Sequence, residues 1–134
     1  MTQAFTAFDA SAILAYLRDE SGSDRVAEHL IVGGVISAVN WAEVLARLVI
    51  GGGSLDDPAA RALVSGAGAP VAVIPFDEVQ AHETARIKKR TTGVPLSLGD
   101  RACLALGRLR DLPVMTTDRE WRKLRLGIRV ALVR

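Results

Sequence analysis

Short apolar runs alternate with helical stretches along the whole chain, and that rhythm constrains the fold more than any other feature. Ala4–Phe8, Val35–Ala38, Val71–Ile74, Val114–Thr116 and Ile128–Val133 read as strands. They are rich in Val, Ile and Phe and carry few polar residues, as strands covered on both faces do. Between them the apolar spacing turns helical. Ser11 is expected to cap a short helix with Ile13, Leu14 and Leu17 inward, and Ser23–Val32 forms a second with Val26, Leu30 and Ile31 on one side. Asn40–Ile50 follows, with Asn40-x-x-Glu43 matching a capping box and Asn40 read as a cap instead of a substrate contact. Asp57-Pro58 opens a helix to about Val64, and Asp77-x-x-Gln80 opens another to about Arg90. The Pro95–Arg110 segment is capped by Ser97 and apolar from Leu98 through Leu109. A short helix, Arg119–Leu124, precedes the last strand. Strand and helix in alternation predict an α/β fold with a parallel sheet and helices on both faces.

Length and composition narrow the reading further. At 134 residues the chain is expected to be one domain, 1–134. Aromatic residues make up only 4%, so Ala, Val, Leu and Ile must fill the core. A single cysteine, Cys103, excludes an internal disulfide and a cysteine-based zinc site, and its apolar neighbours suggest a buried, inert thiol. His29 and His82 lie in separate helical segments, which argues against a histidine metal cluster. No apolar run approaches transmembrane length and no secretory pattern opens the chain, so a soluble cytoplasmic protein with no membrane partner is expected. Gly51-Gly52-Gly53 follows a helix, and no lysine–serine pair comes after it, so it is a linker and not a phosphate loop. The run Lys88-Lys89-Arg90 fits a solvated helix end, with a phosphate contact as the other reading.

Four carboxylates share one address in this scheme. Asp9 follows the first strand, Glu43 lies one turn into the helix after the second, and Asp118 follows the fourth. Asp100 sits in the first turn of the helix leading to that fourth strand, and joins the other three only if that helix begins at the same sheet edge, which the sequence alone does not show. In an open parallel sheet the crevice at the carboxyl ends of the strands is where sites are built. Each acid also has a local explanation as a cap, Ser97-x-x-Asp100 above all. Gathering four is costly, because like charges oppose one another's ionisation. A hard divalent cation removes that cost: Mg²⁺ takes oxygen ligands and needs only one or two direct carboxylates. A second ion would stabilise both oxygens of an in-line displacement at phosphorus. With these acids gathered, the rest of the net +2 surface is basic and suited to steering a polyanion.

The ordered motifs Phe8-Asp9-Ala10-Ser11-Ala12-Ile13-Leu14, Asn40-Trp41-Ala42-Glu43-Val44-Leu45, Leu98-Gly99-Asp100-Arg101-Ala102-Cys103-Leu104-Ala105-Leu106 and Thr116-Thr117-Asp118-Arg119 resemble the PIN-domain ribonucleases. They are similar in particular to VapC-type toxins of bacterial toxin–antitoxin pairs. The resemblance implies a PIN-like α/β/α sandwich with a mostly parallel sheet of four to five strands. It also implies Mg²⁺- or Mn²⁺-dependent cleavage of RNA at Asp9, Glu43, Asp100 and Asp118, with the hydroxyls of Ser11 and Thr117 in support. A homodimer and a cognate VapB-type antitoxin are implied as well. Glu120, near Asp118, is read as a solvated helix residue. Two other readings compete: a non-catalytic α/β module whose acids are only caps, and a receiver- or phosphatase-like domain. The latter lacks a lysine after a late strand, and Ser11 stands where a phosphatase needs a second Asp.

Overall fold

A computed structural model describes residues 5–134; Ala4, the expected start of the first strand, lies outside them. Five strands form one sheet: β1 (Thr6–Phe8), β2 (Gly34–Ser37), β3 (Val71–Ile74), β4 (Val114–Thr116) and β5 (Val130–Leu132). Their order is β3-β2-β1-β4-β5, and every neighbouring pair is parallel. Helices α1 (Ala10–Leu17) and α2 (Ser23–Val32) join β1 to β2, and α3 (Ala38–Ile50) and α4 (Pro58–Val64) join β2 to β3. Helices α5 (Glu78–Arg90) and α6 (Leu98–Arg110) join β3 to β4. The expected parallel α/β/α sandwich is therefore the observed one. Receiver-like domains order their strands 2-1-3-4-5, so the observed order removes that rival at the level of topology.

The pleat explains how three-residue strands anchor two cores. Ala7, Val35 and Val114 project to one face, and Phe8, Ile36 and Met115 to the other. On the Phe8 face they meet Ile13 and Leu14 of α1, Val26 and Leu30 of α2 and Val44 of α3. On the Ala7 face they meet Cys103, Leu104 and Leu106 of α6, Ile87 of α5 and the fully buried Trp121. Gly34 opens β2 because a Cβ there would run into the Thr6 carbonyl and the Phe8 ring, so β1 and β2 can close only on glycine.

Most helix starts behave as the sequence predicts. Asp57, Asp77 and Ser97 cap α4, α5 and α6 by accepting the N–H of Ala60, Gln80 and Asp100 at 2.9, 3.0 and 3.0 Å. Two caps differ from expectation. Asp9, not Ser11, caps α1, and Ser37, not Asn40, caps α3, which begins at Ala38. In both cases the last extended residue at the strand end doubles as the cap, because the chain turns straight from sheet into helix. Ile31 is 86% exposed instead of inward, since Val26 and Leu30, four residues apart, already define the buried stripe of α2. Leu109 is exposed at the end of α6, beyond the buried run Ala102–Gly107. Residues Arg119–Lys123 form a 3₁₀ helix, and β5 is shorter than the expected Ile128–Val133. No helix among the described residues is long and apolar enough to cross a membrane.

Candidate active site

The strand order reverses direction between β1 and β4, and such a switch point leaves a crevice beyond the strand ends. Asp9 leaves β1 and Asp118 follows β4 on either side of that crevice. The Asp9 side chain turns back on its own helix: Oδ1 accepts the Ser11 hydroxyl at 2.7 Å and the Ala12 N–H at 2.8 Å. Ser11 Oγ in turn accepts the Thr117 N–H at 3.0 Å, tying the head of α1 to the end of β4. Asp118 is held from both directions. Its N–H donates to Thr116 Oγ1 at 3.0 Å, and its Oδ1 accepts the Glu120 N–H at 3.0 Å.

The other two acids arrive from helices. Asp100 completes the capping box of α6, its Oδ2 accepting the Ser97 N–H at 3.0 Å. Glu43 projects from α3 toward the first turn of α6, where a side chain on Gly99 would run into its carboxylate. Asn40 fixes that meeting. It is 1% exposed, and its Nδ2 donates to the Gly99 carbonyl at 2.9 Å and to Glu43 Oε1 at 3.4 Å. Both partners are acceptors, which sets the orientation of the amide.

Asp9, Glu43, Asp100 and Asp118 thus line one cleft of about 460 Å³, with Ser11, Asn40 and Thr117 beside them. The condition on Asp100 is met, since its helix does begin at the acidic edge. Glu120 is exposed, pairs with Lys123 at 2.9 Å and is not among the lining residues. Sequence reasoning missed Gly99 and the buried role of Asn40, because both depend on α3 meeting α6. It also missed Thr116, Glu20 and three arginines that line the cleft: Arg18, Arg47 and Arg134. Arg18 donates to the Arg47 carbonyl, and Arg134 pairs with Glu20.

Charge in the cleft is not evenly priced. Burial pushes the Asp9 carboxyl up from 3.8 to about 6; the Thr116 hydroxyl, the Ala12 N–H and the Ser11 hydroxyl pull it down, and the Asp100 charge adds to the rise. Burial also drives the Cys103 thiol well above its usual range, reinforced by the Asp9, Asp100 and Glu43 charges, so it is the inert thiol expected.

Capping and metal binding do not compete here. Asp9, Asp100 and Asp118 each commit one carboxylate oxygen to a cap, and the other lies outside it. Asn40 lines the same cleft, and its buried Oδ1 has no hydrogen-bond partner among the described residues. Among the described residues no three His, Cys, Asp or Glu side chains converge as they stand on a point that could hold an ion.

A PIN-domain family model matches residues 7–126, and the chain belongs to that family. Solved structures of similar fold include a toxin–antitoxin complex from Klebsiella pneumoniae (TM-score 0.71, 18% identity, covering 96% of this chain and 98% of that one). DNA-bound VapBC from Salmonella typhimurium is similar at a TM-score of 0.66 and 21% identity, covering 98% of this chain and all of the other. VapC20 of Mycobacterium tuberculosis, described as a Sarcin-Ricin loop cleaving toxin, is similar at 0.69 and 14% identity, covering 88% and 93%. No curated protein matches the sequence significantly.

Proposed function

We propose that this chain is a Mg²⁺- or Mn²⁺-dependent endoribonuclease and the toxin of a toxin–antitoxin pair. The observation that carries the reading is the four-carboxylate cleft: acids from four separate segments line one open hollow at the switch point of the sheet. Membership of the PIN family and the toxins among its structural neighbours support the same reading.

In this proposal Asp9, Glu43, Asp100 and Asp118 would hold the cation, directly or through waters. A divalent cation there would supply a water activated for attack on phosphorus and charge stabilisation for the phosphoryl oxygens. Ser11 keeps Asp9 in one rotamer while accepting the Thr117 N–H, so the β1 and β4 sides of the cleft move together. Asn40 holds Glu43 against the Gly99 backbone, which fixes α3 relative to the Asp100 carboxylate. The chain is assigned an RNA substrate, a VapB-type antitoxin partner, a homodimeric state and a cytoplasmic location. The capping bonds favour a second reading, a non-catalytic module, but the caps of Asp100 and Asp118 engage one carboxylate oxygen each, and all four acids line the same hollow.

The deciding experiment incubates the purified protein with single-stranded and stem-loop RNA in Mg²⁺, in Mn²⁺ and in chelator. Cleavage in metal that stops in chelator is expected. Intact RNA in both metals would overturn the nuclease assignment in favour of the binding module.

A further inference from the structure

A second hollow, of about 370 Å³, adjoins the acidic cleft, lined by Lys88, Lys89, Val94, Pro95, Leu96 and Arg101 with the threonines and glycine of their loop. No Asp or Glu is among its lining residues. Both hollows draw on the 96–101 segment: Ser97 and Asp100 line the cleft, whereas Leu96 and Arg101, their immediate neighbours in sequence, line the basic hollow.

Lys88 and Lys89 stand in the last turn of α5, where cations complement the helix dipole. Dipole complementation does not account for Arg101. It lies at the opposite kind of helix end, one residue beyond Asp100 near the start of α6, where a cation is disfavoured. Its Nε is buried and has no hydrogen-bond partner among the described residues, while the residue lines the hollow. None of Lys88, Lys89 and Arg101 forms an ion pair among the described residues. An acidic cleft by itself repels a polyanion, so a strand delivered to it needs cations alongside.

We propose that the hollow of Lys88, Lys89 and Arg101 is a backbone-phosphate subsite, holding the part of an RNA strand next to the phosphodiester in the acidic cleft. The inference rests on the ribonuclease reading of that cleft. Arg101 presents a planar fork to the phosphate oxygens, and the lysines act as point charges on the same strand. Val94 and Pro95 give an apolar surface for the sugar or base face. An acidic peptide would satisfy the lysines equally, but the segment common to both hollows, running from the acidic cleft to this one, favours the nucleic acid.

The test measures binding of a fluorescent single-stranded RNA by the full chain in chelator across a salt series, with cleavage in Mg²⁺ followed separately. The K88Q/K89Q variant should bind more weakly, and its plot of log K against log salt should be shallower by about 1.4, the loss of two single-strand phosphate contacts. Arg101→Lys should weaken binding while keeping the slope, because the charge stays and the fork goes. Arg61→Gln, which removes an exposed cation paired with Asp56, serves as the control and should leave the slope unchanged. A protein that cleaves RNA while K88Q/K89Q and Arg61→Gln show the same slope overturns the subsite and leaves the nuclease reading standing. A protein that does not cleave, yet binds RNA through these lysines, overturns the nuclease reading and with it the subsite as part of a cleavage site. Lysine-dependent binding of oligoglutamate in preference to RNA overturns the subsite in favour of an acidic peptide.

Discussion

Asp9 and Asp118 hold matching stations at the heads of neighbouring parallel strands, β1 and β4. Each turns a strand into a helix, and each caps that helix with its own Oδ1. Their surroundings differ. Asp9 is 5% exposed beneath α1 and against Thr116, whereas Asp118 stands at the exposed start of a one-turn 3₁₀ helix. The same local chemistry therefore carries different costs. At the floor of the cleft an ionised carboxylate is strained until a counter-charge arrives; at the exposed station it remains in contact with water.

The largest expected effect separates the two by activity. Asp9→Asn should lower RNA cleavage by about 100-fold or more, because a charge-bearing ligand contributes several kcal/mol to the transition state. Asp118→Asn should also lower it, by roughly 10–100-fold, in keeping with a ligand acting partly through water. Initial rates on one RNA at saturating Mg²⁺ measure both, and equal losses would erase the distinction between floor and exposed station.

Stability against pH sharpens the contrast next. The folded-state carboxyl of Asp9 is raised to about 6 from 3.8, so between those values the native state holds a proton that the unfolded state has released. The stabilisation is complete below the unfolded value and is lost as pH rises through about 6, a fall of the order of 3 kcal/mol in the metal-free protein. Asn at position 9 can still accept the Ser11 and Ala12 bonds, so Asp9→Asn should be more stable than the parent at neutral pH in chelator and should lose this part of the pH dependence. Urea unfolding at pH 4, 5, 6 and 7 tests it. A parent whose stability is flat over that range, or a less stable variant, would show that burial does not strain Asp9. Millimolar Mg²⁺ should stabilise the parent more than the variant, since a ligand that binds only the folded state adds its binding energy to stability.

A smaller effect is expected at the exposed station. Asp118→Ala removes only a cap there and should cost about 1 kcal/mol. Asp100→Asn, which keeps an acceptor in the capping box but removes the charge at the start of α6, should cost no more than about 0.3–1 kcal/mol in chelator. Thermal unfolding measures both, and a loss above about 2 kcal/mol at either site would mean that the carboxylate does more than cap in the empty protein.

The two acids also show how far the sequence was legible. Asp118 and Asp100 were readable as caps, because a cap depends on residues two or three positions away. The boundaries of α2, α4, β3 and β4 were legible for the same reason: Gly33 after Val32, Pro58 after Asp57 and Pro75 after Ile74 act within one turn. The caps of α1 and α3 were misplaced because Asp9 and Ser37, extended residues at the strand ends, pass straight into the helices they cap. The outward face of Ile31 was misread because the spacing of α2 admits either side, and only the sheet decides which side is covered. Among the residues lining the cleft, Asp9, Glu43, Asp100 and Asp118 were legible as neighbours through strand-end topology and the ordered motifs. The Asn40–Gly99 clasp was not, since its two halves lie 59 positions apart.

By itself the sequence determined the alternation of strand and helix, the local caps and the chemical character of the acids. These follow from hydrogen bonds and side-chain periods that act over a few residues. Only the tertiary structure decided that the strands run in the order β3-β2-β1-β4-β5, that β1 and β4 open the switch-point crevice, and that Asp9 rather than Asp118 lies buried in it. Burial, and the desolvation that raises Asp9, come from α1 and β4 closing over one carboxylate, and packing between elements distant in the chain is not encoded in any short stretch of it.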